Sequence, residues 1–249
     1  MIAILSDIHG NLEALEAVLK DAVSFEIERI VCLGDLVGYG PDPIPCVERA
    51  REWHFVLRGF YDLAAVLDDD LAGWSSASAK NSILRFREEL QQHPQCRELT
   101  DFLTALPTLA TIGDALFVHG SPRGPTNEFL FPEDIYNTRK MDAIAERVSS
   151  LCFCGNTHIP GIFYRGESGW KYLSPAECGD RFPLTVGKIL CTVGSVGQPR
   201  DLDPRACYVL YSKQKIIFRR VDYDRELTIR KIRERGDDDL FGQRLRDGR

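Results

Sequence analysis

Apolar residues fall along the chain in two textures. Residues 2–6 and 29–33 are short apolar runs, and between them Leu12, Leu15, Val18, Leu19 and Ala22 recur at helical spacing behind Asn11, a residue suited to cap a helix start. Strand, helix and strand in the first 33 residues predict a βαβ unit with a parallel pair. A helix over about 44–52 and a strand at 53–57 continue it. Residues 62–106 read as mostly helical and polar, broken by Gly73, Pro94 and Pro107. Beyond them, 108–112 and 115–119 flank Gly113-Asp114, a hairpin signature. A helix near 140–149 leads to a strand at 151–154. Further strands are predicted at about 161–165, 188–193, 206–212 and 215–221, then a charged amphipathic helix near 224–235 and a frayed tail from about 236. A βαβ half and a hairpin-rich half predict an α/β fold: two packed mixed sheets flanked by helices, in a single domain over 1–249 with a helical insertion at about 62–106.

Composition narrows the class. The chain has 249 residues, 44% of them hydrophobic, and no apolar run near the roughly 20 residues that span a bilayer. The opening Met-Ile-Ala-Ile-Leu meets Ser6 and Asp7 with no basic stretch, so no signal peptide and a cytoplasmic location are expected. None of the eight cysteines forms a C-x-x-C; they read as reduced core thiols. From Lys213 onward there are 12 Lys or Arg against 8 Asp or Glu, which leaves the preceding 212 residues with 19 positive and 29 negative groups. So acidic a body does not suit sequence-specific or backbone-tracking grip on nucleic acid, and suits carboxylates gathered around metal.

Candidate chemistry clusters just after predicted strands. His9 stands in Ser6-Asp7-Ile8-His9-Gly10, Asp35 in Leu33-Gly34-Asp35, His119 in Val118-His119-Gly120, and His158 in Gly155-Asn156-Thr157-His158. Strand tips of an α/β sheet converge on ligands. Asp7 and His9, two apart on extended chain, can face one ion. Imidazole and carboxylate together suit a divalent transition metal such as Mn, Fe or Zn.

These motifs, with Arg58-Gly59-Phe60-Tyr61-Asp62, resemble those of the calcineurin-like metallophosphoesterases, in the expected order and over nearly the whole chain. Ser6–Leu15, Gly38-Tyr39-Gly40-Pro41-Asp42-Pro43 and Gly194–Arg200 are similar to a bacterial and archaeal group of about this length, described as phosphodiesterases or phosphatases of unsettled substrate. The resemblance implies a four-layer α/β/β/α sandwich and a two-metal site at which a water attacks phosphorus in line. By the same resemblance, Asp7, His9, Asp35 and His158 hold the first metal. Asp35 bridges to a second that would also use His119.

The chain departs from the family pattern at that second metal. Phe60 stands where the family has a ligand Asn, Tyr61 where it has the histidine that helps the leaving oxygen depart, and Asn156 where it has a ligand His. A phenyl ring cannot coordinate, a phenol does not titrate near neutrality, and an amide oxygen ligates weakly. The expectation is therefore a metal-dependent phosphoesterase that cleaves a phosphodiester or phosphomonoester by attack of a metal-bound water. It would have one tight metal and a second that is weak or absent, held by Asp35, His119 and Asn156. Tyr61 would donate to the leaving oxygen, His119 would orient phosphate, and the partner would be a small phosphorylated substrate, with a nucleotide one option. The alternative is a degenerate member that binds metal or a phosphorylated ligand without hydrolysis, with Phe60 filling the second ion's place. Arg200, Asp203 and Arg205 read as braces more than phosphate contacts, and Arg123 could face either substrate or solvent.

Overall fold

The computed structural model describes residues 1–67, 76–184, 187–236 and 239–249; Gly73 and part of the expected insertion lie outside them. The strands are β1 (Ile2–Leu5), β2 (Arg29–Cys32), β3 (Phe55–Val56), β4 (Leu109–Ile112), β5 (Ala115–Val118), β6 (Leu151–Cys154), β7 (Gly161–Gly166), β8 (Gly169–Leu173), β9 (Arg181–Pro183), β10 (Ile189–Thr192), β11 (Ala206–Ser212) and β12 (Lys215–Val221). The helices are α1 (Leu12–Ala22), α2 (Pro43–Ala50), α3 (Phe60–Val66), α4 (Ala77–Gln92), α5 (Cys96–Ala105), α6 (Thr138–Ala145), α7 (Arg225–Glu234) and α8 (Asp239–Asp247).

One sheet runs β3-β2-β1-β11-β12-β9 and the other β4-β5-β6-β10-β7-β8. Both are mixed. β1, β2 and β3 are parallel, and antiparallel β11, β12 and β9 extend them. Likewise β5, β6 and β10 are parallel, with β4 and the β7–β8 hairpin antiparallel at the two sides.

Side-chain alternation sets the layers. On β1, Ile4 faces the other sheet, while Ala3 and Leu5 face α1, α2, α4 and α5. On β6, Leu151 and Phe153 point inward, while Cys152 and Cys154 meet Met141 and Ile144 of α6. Strands buried on both faces must be apolar throughout, which is why the parallel ones read as continuous runs. The result is the four-layer α/β/β/α sandwich expected from the sequence.

Sequence and structure part at the edges. β8 and β9, absent from the expected strands, are the outermost strands of the two sheets, and their polar solvent sides hide the apolar pattern. The segment from about 236, expected to fray, carries α8, whose Phe241 and Leu245 are buried against Ile229, Ile232 and Tyr39. Its short apolar stripe is diluted by four charged residues in Asp239–Asp247, so it declares itself only once α7 is beside it. The hairpin reading holds: Gly113, at φ 58, takes the first position of the two-residue turn between β4 and β5.

Candidate metal centre

The carboxyl ends of β1, β2, β3, β5 and β6 all reach one end of the sandwich, and each passes into a tight loop there. Asp7, His9, Asp35, Tyr39, Asn156 and His158 all have positive φ, between 49° and 66°. Only two other non-glycine residues described do so, Asp180 and Leu202. Such conformations each cost on the order of 1 kcal/mol or more, and they persist where surrounding contacts over-determine them. Here the loops interlock. Asp7 N–H donates to Gly34 O (2.9 Å), His9 N–H to Asp35 O (2.9 Å) and Gly10 N–H to Leu36 O (2.8 Å). Gly59 is required for this closeness: a Cβ there would lie 2.1 Å from Asp35 Oδ1.

Asp62, which the sequence offered only as the end of a motif, is the loop's anchor. Its fully buried carboxylate accepts from the backbone N–H of Asp35 (2.7 Å), Leu36 (2.9 Å) and Gly59 (3.0 Å). Burial and nearby Asp35 raise it to about 7, against the pull of those donors.

Three histidines present the same face. His9 Nδ1 lies 2.9 Å from Val37 O, His119 Nδ1 3.1 Å from Leu33 O, and His158 Nδ1 2.6 Å from Gln198 O. A carbonyl only accepts, so each Nδ1 carries a proton and each ring turns its Nε2 into the site. His9 Nε2 and His158 Nε2 are 3.2 Å apart. Two lone pairs at that distance repel unless a cation or a proton lies between them.

The carboxylates complete two sets. Asp7 Oδ1 is 3.3 Å from His158 Nε2 and 3.9 Å from His9 Nε2; Asp35 Oδ2 is 3.4 Å from His119 Nε2 and 3.7 Å from His9 Nε2. Asp7, His9 and His158 converge tightly enough to hold one ion, as do Asp7, Asp35 and His119. All are buried, and Asp7 Oδ1, His119 Nε2 and Asn156 Nδ2 have no hydrogen-bond partner. Buried polar atoms without partners cost about 1–3 kcal/mol each. A divalent cation would satisfy the oxygen and nitrogen lone pairs at once, so the donor set fits a metal.

Charges respond accordingly. Burial pushes Asp7 up, yet the imidazoles of His158, His119 and His9 outweigh it and hold the carboxyl below its usual range. Burial drives His9 down to about 4 despite Asp35. Burial also lowers His158, and Arg200 adds to that. His119 goes the other way: burial opposes its charge, but Asp35 and Asp7 lift it to about 9. A proton on His119 thus stands in for part of a cation's charge.

The candidate residues therefore meet in space, with differences of detail. Asn156 is buried and donates its backbone N–H to Asp7 Oδ2 (3.0 Å), with its side-chain amide beside the cluster. Tyr61 donates its hydroxyl to Tyr39; burial and that partner push its acidity far down. Tyr39, in its Gly38-Tyr39-Gly40 setting, was missed as a site residue. Its ring meets His9 edge-on at 4.8 Å and Phe241 of α8 at 4.9 Å. Phe60 heads α3 and is 37% exposed, so its ring forms a wall of a cavity, where the sequence allowed it to fill the second ion's place. Asp203 pairs with Arg205 (2.6 Å), a brace as expected, and Arg123 pairs with Glu128.

Residues 1–215 match the sequence model of the calcineurin-like phosphoesterase superfamily domain. An uncharacterized protein of Methanocaldococcus jannaschii, MJ0912, is 34% identical over 260 residues, covering 100% of this chain and 98% of that protein. A crystal structure of a metallophosphoesterase from Sphaerobacter thermophilus is 33% identical with a TM-score of 0.82, covering 100% of this chain and 99% of that one. The hypothetical protein PH1004 of Pyrococcus horikoshii OT3 shares the fold at 22% identity, with a TM-score of 0.77 over 100% of this chain and 99% of its own.

Proposed function

The chain belongs to the calcineurin-like phosphoesterase superfamily, and from that premise we propose that it is a metal-dependent hydrolase of a phosphodiester or phosphomonoester, with one tight metal site. The observation that carries this is the set of three Nε2 atoms, each fixed by a backbone carbonyl behind it, converging on Asp7 and Asp35 with buried atoms left unpartnered. Asp7, His9, Asp35 and His158 hold the tight ion; Asp35, His119 and Asn156 are the donors for a weaker second. Mn, Fe or Zn suits the mixed imidazole and carboxylate donors. When bound, a divalent ion lowers the pKa of water and offsets phosphate charge.

The protein's own groups do the rest. Asp62 holds the Asp35 loop in place, and Tyr61 N–H donates to Asp35 Oδ1 (2.8 Å), aiming Oδ2 at His9 and His119. His119 Nε2 orients phosphate when it is not engaged by metal. The Tyr61 hydroxyl keeps its proton at any working pH and sits at the cavity wall, where turning away from Tyr39 lets it donate a hydrogen bond to the leaving oxygen. All eight cysteines are free thiols, six of them buried, which supports residence in the reducing cytoplasm.

The test is hydrolysis of a chromogenic phosphodiester by metal-stripped protein resupplied with Mn, with Asp7→Ala as control. Turnover that requires Mn and disappears in the variant is expected. Protein that binds Mn and turns over no faster than Asp7→Ala would instead be a non-catalytic binder. Restoring the family pattern with Phe60→Asn, Tyr61→His and Asn156→His sharpens the answer: a modest gain means the native site already works.

A further inference from the structure

Beside the metal cluster lies a cavity of about 200 Å³ with Asp35, Asn156 and His158 at its floor. That is below the roughly 300–1,000 Å³ of drug-sized sites, so it suits a compact ligand. Its rim is aromatic. Phe60 and Phe129 are 37% and 43% exposed, and Tyr136 is the one other exposed aromatic among the described residues. Two large apolar rings held half in water at one cavity are a recognition surface rather than stray core.

Both rings are held in place. Phe129 stacks on Phe131 at 5.4 Å with the planes 10° apart, and Lys140 Nζ donates to Phe129 O (2.8 Å). The loop before it is tied by Ser121, Arg123 and Glu128. Phe60 meets Tyr61 edge-on at 5.9 Å. Asn127 stands on the same rim with an amide that both donates and accepts.

Arg200 supplies the charge. Arg205, Arg219 and Arg220 are each paired with an aspartate, but among the described residues the Arg200 guanidinium hydrogen-bonds only to the neutral Gln198 Oε1, through Nη2 (2.6 Å) and Nε (3.2 Å). It is half-buried, lines the cavity and lies 5.8 Å from the Tyr39 ring. A guanidinium pre-positioned by an amide, with no carboxylate among the described residues to neutralise it, is an anion contact.

We propose that the ester bound here is a nucleoside phosphate, its base lying against Phe60 and Phe129 and its phosphate engaged by Arg200 above Asp35 and His158. This rests on the phosphoesterase reading and names its substrate class. The chemistry requires a planar ring with hydrogen-bonding edges and a nearby phosphate. Stacking accepts any base, because every base has a π-face. The acidic body, with 29 Asp or Glu against 19 Lys or Arg before Lys213, favours a mononucleotide over a polyanion.

The experiment compares adenosine 5′-monophosphate with glycerol 3-phosphate on Mn-loaded protein, by equilibrium dialysis and by phosphate release. Wild type is expected to bind the nucleotide at least about tenfold more tightly, the scale of one base stacked on an aromatic ring. Phe60→Ala and Phe129→Ala collapse that ratio through Kd and KM rather than kcat. Phe129→Trp restores it, which separates lost stacking from misfolding, and Arg200→Gln weakens both probes. Equal affinity for the two probes in wild type, or a ratio untouched in both alanine variants, overturns the inference. The two readings fail separately: a base preference in binding with no turnover of any ester sinks hydrolysis and supports the inference. Indiscriminate turnover of both probes does the reverse.

Discussion

At the amino ends of the strands the two sheets part around a cleft of about 1010 Å³ bordered by Met1, Glu28, Arg29, Asp114 and Lys213. At the carboxyl ends the cavity over Asp35 and His158 is about 200 Å³. The larger opening carries the lesser chemistry. Its charges lie mostly in water, and the Met1 amino group donates to Glu28 (2.8 Å) and to Glu26 O (2.7 Å). Among the described residues, none of the buried atoms lacking a hydrogen-bond partner borders it, and its positive-φ positions, Gly113 and Gly187, are glycines. The smaller cavity has unpartnered buried atoms and six strained non-glycine residues about it. Volume follows from how two twisted sheets splay. A site follows from polar atoms that the fold buries and leaves unsatisfied.

The sharpest break in that contrast comes from Asp7→Ala, which removes a buried carboxylate from the tight metal site. Loss of bound metal and a fall in turnover of about a thousandfold are expected, several kcal/mol of charge stabilisation, read by metal analysis and kinetics. Next is Asp62→Ala, which leaves three buried N–H donors without their acceptor. It should destabilise the protein by roughly 3–5 kcal/mol in denaturant titration and weaken metal retention, because the Asp35 loop is no longer held.

The metal-free protein should lose stability as pH rises above 6.5, while below it the opposed shifts of His9 and Asp62 offset each other. His119, raised to about 9, stabilises the fold fully below its unfolded value of 6.5, and that contribution is lost as pH rises through 9. His9, lowered to about 4, acts oppositely: its contribution is present above 6.5 and lost as pH falls toward 4. The alkaline flank amounts to about 3 kcal/mol over its full range. Urea titrations from pH 4 to 9.5 would show it, and Mn should flatten the alkaline flank by displacing the His119 proton. Unchanged stability between pH 6.5 and 9 would contradict the charge assigned to His119. Smallest is Glu28→Gln at the opposite end, where no measurable change in melting temperature or turnover is expected, since an exposed pair is screened by water and salt.

Much of this centre was legible beforehand because strand tips bear their chemistry locally. Asp7, His9, Asp35, His119 and His158 each follow an apolar run and neighbour a glycine or another polar turn residue, which the α/β architecture alone makes meaningful. Asp62 was legible as a motif but not as an anchor, since its three partners are backbone groups up to 27 residues away. Arg200 and Arg205 looked alike in sequence. One pairs with Asp203 two residues away, while the other meets Gln198 and faces the cavity. Side-chain pairing among neighbouring charges depends on direction, which spacing does not encode.

The sequence by itself determined the layered sandwich, the loops at strand tips and the types of metal donor, because burial on both faces of a strand and tight turns at its end leave direct compositional marks. Only the tertiary structure decided which nitrogen of each histidine faces inward, that His9 and His158 approach within 3.2 Å across 149 residues of chain, and that Phe60 walls a cavity. Those facts depend on carbonyls of Val37, Leu33 and Gln198 arriving from other loops, and long-range placement of backbone groups carries no local signature.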